Sequence, residues 1–296
     1  MRIPSFRPGL FATCGLCFVA GLFAQTPPAA PKLVFPQASP TATVTQRIGL
    51  TDIQINYARP GAKGRKVFGG LLPYGHIWRT GANTATKISF STPVKFNGTE
   101  VAAGTYELFT IPGEKEWTVI IHKNMSQWGT YSYNEKNDVA RIKAVPVTLA
   151  SPIETLDISL NDIRDESATL NITWEKTRVP VTLTVDVKST LVPQIEAVMA
   201  GSEKLAPEVY RDAAMYYFEN GLDLKKAAAW MDSAIAASPG AFYLDYRKAL
   251  ILEKMGDKAG AVATAQKSLE AARQATSPNL RDEYVSLNET LIARLK

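Results

Sequence analysis

The sequence is poor in cysteine, in histidine and, over one long stretch, in acid. Cys14 and Cys17 are the only two cysteines in 296 residues, and both fall within the first 24. With that leader removed, the chain has no disulfide, no thiol nucleophile and no cysteine-based metal site, so an apolar core must hold it together. His76 and His122 are the only two histidines. Neither has a carboxylate at ligand spacing, so no metal and no cofactor is expected. G-x-S-x-G, H-E-x-x-H and phosphate-binding P-loop patterns are all missing, which removes the usual signatures of α/β-hydrolases, zincins and P-loop NTPases. No acid occurs between Asp52 and Glu100.

Residues 1–24 read as a secretory signal: Arg2 and Arg7 at the charged start, an apolar stretch over 10–23, and the small Ala24 at a cleavage point. The apolar stretch falls short of the ~20 residues that a bilayer-spanning helix needs, so no transmembrane segment is expected after cleavage. The expected location is periplasmic or extracellular. The formal net charge of +5 loses Arg2 and Arg7 with the leader. That balance is too mild to indicate nucleic acid.

Residues 25–41 are rich in Pro and Ala and suit an extended leader. From 42 to 188 the apolar period is two, as in Ile53/Ile55/Tyr57, Ile88/Phe90, Tyr106/Leu108, Trp117/Val119/Ile121, Leu156/Ile158/Leu160, Leu170/Ile172/Trp174 and Val181/Leu183/Val185/Val187. Asn97-Gly98 is a hairpin signal, and Pro112-Gly113 marks a further turn. Eight to ten short strands at this spacing predict an antiparallel β-sandwich or a barrel-like relative.

From 191 to 296 the period becomes helical, punctuated by Asn220-Gly221, Asp223, Ser238-Pro239-Gly240 and Gly256-Asp257. Asp223, Ala227, Ala229 and Ile235 fall 34 residues before Asp257, Ala261, Ala263 and Leu269, a period like that of tetratricopeptide repeats. A plain helical bundle fits the same pattern. The fold class expected is therefore α+β in separate domains, a β domain followed by an all-α repeat-like one.

What stands out is the stretch 59–85, with six Gly, two Pro and five basic residues. Gly and Pro at that density exclude a helix, and a loop so long is usually kept for function because it buries little. Arg59, Arg65 and Arg79 are candidate anion ligands, since guanidinium groups grip carboxylate or phosphate bidentately. Gly61, Gly64, Gly69 and Gly70 would let backbone N–H groups approach the same ligand. Paired with acids elsewhere, the same arginines would instead pin the loop to the sheet.

Tyr74, Trp78, Trp128, Tyr131 and Tyr133 offer flat apolar surface for sugar faces, with Asn83 placed to hydrogen-bond hydroxyls. They suit equally a small satellite core under the loop. Trp78 is expected to pack inward and Arg79 to face outward or into a cleft with Arg59 or Arg65 within reach, because neighbours on an extended segment point to opposite sides. His76, inside the loop, is the candidate general base if the protein is an enzyme.

The β region resembles a bacterial secreted family known as domain of unknown function 2911. The resemblance rests on V-T-Q-R-I-G-L-T-D-I-Q-I-N-Y-A-R-P-G at 44–61, G-R-K-V-F-G-G-L-L-P-Y-G-H-I-W-R-T-G-A-N at 64–83, A-G-T-Y-E-L-F-T-I-P at 103–112 and W-T-V-I-I-H-K at 117–123. It covers about 36–187. It implies an exported β domain, sometimes followed by helical repeats, and brings no established activity or catalytic residues.

With no nucleophile, metal or cofactor signature, the residues favour a non-enzymatic binding module. Its 59–83 loop would take an anionic or sugar-like ligand through Arg59, Arg65, Tyr74, His76, Arg79 and Asn83, and its helices would meet a protein partner. The alternatives are a hydrolase-like enzyme using His76 and Arg79, and a purely structural envelope scaffold.

Overall fold

The computed structural model describes residues 35–123, 127–201 and 203–296. The signal-like segment 1–24 with Cys14 and Cys17, and the part of the 25–41 leader before Phe35, lie outside the described residues.

Alternating burial builds the strands: along β2 (Thr51–Ala58) buried and exposed residues take turns, with Ile53, Ile55 and Tyr57 inward. β2 pairs antiparallel with β1 (Thr41–Ile48) and with β3 (Thr86–Phe90). The short β4 (Val94–Phe96) and β5 (Thr99–Val101) form a hairpin whose Asn97 and Gly98 sit at φ 45° and 86°. Both central residues are left-handed, as a two-residue turn of matching twist demands. β6 (Gly104–Ile111), β7 (Trp117–His122), β8 (Asp138–Ala144), β9 (Val147–Asn161) and β10 (Ser167–Val185) complete the set.

The strands make two antiparallel sheets, ordered β1-β2-β3-β6-β7-β8 and β5-β4-β10-β9. Their inner faces share one core: Ile55, Ile88, Leu108 and Ile121 from the first meet Ile158, Ile172, Val181 and Leu183 from the second. This is the expected sandwich.

One expectation changes. The runs at Leu170/Ile172/Trp174 and at Val181/Leu183/Val185 belong to a single 19-residue strand, β10. It is broken in register on both sides of Glu175, which sits at φ 51°. Pro180 falls between the last partner on β9, at Arg178, and the first on β4, at Leu183. There its missing N–H costs no ladder bond. Val187 lies just past the strand, at the N-cap of the first helix.

Six helices follow: α1 (Lys188–Met199), α2 (Pro207–Glu219), α3 (Leu224–Ala237), α4 (Phe242–Lys254), α5 (Lys258–Arg273) and α6 (Pro278–Leu295). The punctuation read from sequence lies at their ends. Asp223 accepts from the N–H groups of Lys225 and Lys226 at the start of α3, and Asp257 from Gly260 at the start of α5. Gly221 and Gly256 take φ 62° and 86° after α2 and α4. Among the described residues no helix is long and apolar enough to cross a membrane.

Candidate functional site

The 59–85 stretch joins β2 to β3 and is stitched to both sheets. On the β9 side, Ala62 N–H donates to Glu154 O (2.7 Å) and Leu156 N–H to Pro60 O (3.0 Å). On the β6 side, Trp78 and Thr110 exchange backbone hydrogen bonds of 2.7 and 2.8 Å, extending the sheet past the start of β3.

The loop buries more than its composition suggests. Val67, Phe68 and Trp78 enter the sandwich core, because one end of the sandwich would otherwise expose the rings of Trp117 and Trp174. Trp78 is only 5% exposed, stacks on Trp174 (5.9 Å between centroids) and donates its indole N–H to Gly81 O (3.0 Å). Thr80, fully buried, is held at φ 52° between hydrogen bonds to Thr110 Oγ1 (3.1 Å) and from Thr86 Oγ1 (2.7 Å). A β-branched residue in that region stores roughly 1–3 kcal/mol of strain. The turn it forms fixes where the adjacent Arg79 emerges.

Arg79, Arg65 and Lys63 line one cavity of about 340 Å³, whose apolar wall is Trp78 and Trp174 and whose rim includes Ser39. No carboxylate among the described residues lines it. Among the described residues none of these three cations makes an ion pair, and Arg79 Nε is buried without a hydrogen-bond partner. Burial pushes the Arg79 guanidinium below its ordinary pKa, opposed in part by Tyr131. Arg65 spends Nε and one Nη on the carbonyls of Ala62 (2.8 Å) and Gly61 (2.7 Å). Two nearby carboxylates are turned to backbone amides instead: Glu154 accepts from Lys63 N–H and Glu175 from Val67 N–H.

A second cavity of about 410 Å³ shares the wall Ala38–Ser39 with the first. Gln37, Thr41, Asn56 and Asn83 contribute polar groups to it, and Tyr57 and Trp128 its rings. Trp128 pairs with Thr84 as an isolated bridge and remains 63% exposed. Its segment is tied down from below. Fully buried Glu107, on β6, accepts from Gln127 N–H (2.8 Å) with one carboxylate oxygen and from Gln127 Nε2 (2.7 Å) with the other.

The other sequence candidates lie apart. Arg59 lines neither cavity: its Nε donates to Leu156 O (2.9 Å) and Nη2 meets Asp157 (3.2 Å), so it pins the loop to β9. Tyr74 covers Gly69, where a Cβ would lie 2.7 Å from its ring. His76 is exposed and lines neither cavity. Tyr133 joins a satellite core with Phe109 and Ile120.

The two histidines do not meet. His76 follows Gly75, which donates to Pro112 O beyond the end of β6, whereas His122 sits opposite Glu107. Those points on β6 are five residues apart, about 17 Å at the rise of a strand. His122 is fully buried, with Nδ1 2.8 Å from Asp138. The other Asp138 oxygen accepts from Tyr133 Oη and Arg141 Nη1, both at 2.7 Å. Asp138 and burial push the Tyr133 hydroxyl up to about 12, burial being the larger cause. Sequence reading missed Glu107 and Asp138. Their only signal was an acid inside a strand pattern, and its meaning depends on which residue the neighbouring strand sets opposite.

No curated protein and no solved structure gives a significant match to this chain. Residues 39–183, which take in nearly all of both sheets and most of the lining of the two cavities, match the family model described as protein of unknown function (DUF2911).

Proposed function

We propose that the protein is an exported binding module whose β domain takes a small anionic ligand of the carboxylate or phosphate class in the cavity lined by Lys63, Arg65 and Arg79. One observation carries this reading: three cationic side chains converge on a cavity that no carboxylate among the described residues lines, and one of them keeps a buried, unpartnered N–H. Leaving such a donor unsatisfied costs roughly 1–3 kcal/mol, and an anion at that point would recover the loss. A planar guanidinium beside a low-dielectric indole wall suits a bidentate oxyanion. Stacking Trp78 on Trp174 fixes the wall in advance, so little ordering is needed on binding.

The helices form a repeat pair of the tetratricopeptide kind and serve protein contacts. In support, Ala227, Met231 and Ala234 of α3 are fully buried, and so are Ala261, Ala265 and Ser268 of α5, each 34 residues on. Small residues at matched positions let paired helices approach closely. Export rests on the leader sequence; the mass of the secreted chain tests it, and a mass retaining residues 1–23 overturns it.

Calorimetric titration with inorganic phosphate and with citrate at low salt tests the binding site. The expected result is a measurable affinity that falls at least tenfold in Arg79→Ala, since a hydrogen bond to a charged group contributes about 1.5–3 kcal/mol. Absence of heat with both anions on the wild-type protein refutes the site.

A further inference from the structure

We infer that the two adjoining cavities form one site for an acidic saccharide, the acid group of one residue held at Arg79 and the ring of the next laid on Trp128; this deepens the anion-site reading and rests on it.

Three observations bring the cavities together. They share Ala38 and Ser39. Arg79 borders the first, yet its Nη1 lies 3.7 Å from where a Cβ on Gly129 would be, beside the Trp128 segment of the second. Gly129 itself, at φ 70°, turns the chain so that the Tyr131 ring folds back to within 2.9 Å of that same point. A cation and two aromatic residues thus stand at one boundary.

The second cavity has the chemistry of a sugar site rather than of an anion site. Its polar groups are neutral amides and hydroxyls from Gln37, Thr41, Asn56 and Asn83, which can both donate and accept. A polyhydroxylated ring offers the same mixture in return. Asn56 donates Nδ2 to Thr43 Oγ1 (2.9 Å), which leaves its amide oxygen for a ligand.

Trp128 supplies the apolar partner for the C–H face of a sugar. An indole 63% exposed and a Tyr131 ring 89% exposed put a large apolar area into water at one place. The position of Trp128 is built, not incidental. Gly129 N–H donates to Asn83 O (3.3 Å), Ala85 N–H to Gln127 O (3.0 Å), and buried Glu107 clamps Gln127 from beneath. A ring fixed in place before binding loses little freedom on contact.

The test is calorimetric titration of the mature chain with trigalacturonic acid, its fully methyl-esterified form, inorganic phosphate and uridine monophosphate, with wild type, Trp128→Ala and Arg79→Ala. Melting curves control for folding. The expected pattern is trigalacturonic acid at least tenfold tighter than its methyl ester and than phosphate. Trp128→Ala should weaken it at least tenfold while leaving phosphate unchanged, and Arg79→Ala should weaken both. If trigalacturonic acid binds no better than phosphate, or Trp128→Ala leaves it unaltered, the saccharide inference falls while the anion site stands. A Trp128-dependent affinity for uridine monophosphate exceeding that for trigalacturonic acid also overturns it. If phosphate and trigalacturonic acid both fail on wild type, the anion site falls and the inference falls with it.

Discussion

At Trp78 the chain turns a side chain into the sandwich, and at Arg79 it turns one toward the cavity rim. The two substitutions should therefore separate. Trp78→Ala removes a ring packed on Trp174, Trp117 and Phe68 and leaves Gly81 O without its donor. The expected loss is about 3–5 kcal/mol in urea unfolding. Arg79→Ala removes a group that orphans no partner among the described residues and should stay within about 1 kcal/mol of wild type. If Arg79→Ala unfolds the domain as readily as Trp78→Ala, Arg79 is a structural pin and the anion site is wrong. A second residue-scale effect concerns alkali. The folded Tyr133 hydroxyl titrates near 12, above the ordinary value of about 10. An acid whose folded pKa is raised contributes stability that is complete below the unfolded pKa. That contribution is lost as pH climbs through the folded one. Stability should fall between about pH 10 and pH 12, and Tyr133→Phe should flatten that part of the fall in a pH series of melting temperatures. An equally steep fall in the variant would assign the loss to other tyrosines, Tyr217 among them, since it too is pushed up to about 12.

Elements announced themselves in sequence wherever a local rule decides them. Alternation along β2, the Asn97-Gly98 turn, the Asp223 cap and the Gly256-Asp257 break each depend on residues within a turn or a strand. They therefore read correctly without the fold. The rest depended on partners far away in the chain. β10 runs through Pro180 because it changes partners there, a fact invisible until β4 and β9 are placed. The burial of Phe68 and Trp78 follows from the open end of a sandwich that strands from across the domain build. Ser39 and Lys63 join the first cavity with Arg79, and Arg59 is drawn off by Asp157, which lies almost a hundred residues on. The same holds for the clamp between Glu107 and Gln127. Glu107→Leu removes both acceptors and leaves a buried amide N–H and a side-chain amide unsatisfied, at about 1–3 kcal/mol each. Exchange of the Gln127 and Gly129 amides with deuterium should accelerate well beyond that of β7. Unchanged protection in this segment would mean that the Thr84–Trp128 bridge alone holds it.

At the scale of the molecule, the two cavities and the helices occupy opposite ends of the β domain. β1 leaves Thr41 at the wall of the second cavity and reaches Ile48 seven residues later, about 23 Å at strand rise. There the turn through Gly49, at φ 53°, packs so closely on Val187 that a Cβ would collide with it. Leu191 of α1 and Tyr216 of α2 press on the same end of the sandwich core. Burial is the main cause that raises the Tyr216 hydroxyl above its ordinary pKa, with Glu166 and Asp186 of the β domain adding to it. Ligand binding and helix docking are thus separable, and Tyr216→Ala should demonstrate it. Removing that ring takes apolar contact from the junction and from the core of α2, α3 and α4, so calorimetry should resolve two melting transitions, the helical one lowered, where the wild type gives one broader or coupled event. A saturating anion at about a hundred times its dissociation constant should then add about 2.7 kcal/mol to the transition of the β domain. The helical transition should stay where it is. Affinity for the anion should match wild type within about twofold, because Gly49, Val187, Leu191 and Tyr216 line neither cavity. A Tyr216→Ala variant that binds the anion ten times more weakly would mean that the helices help shape the cavities across the length of the sandwich. The independence of the two halves would then be lost.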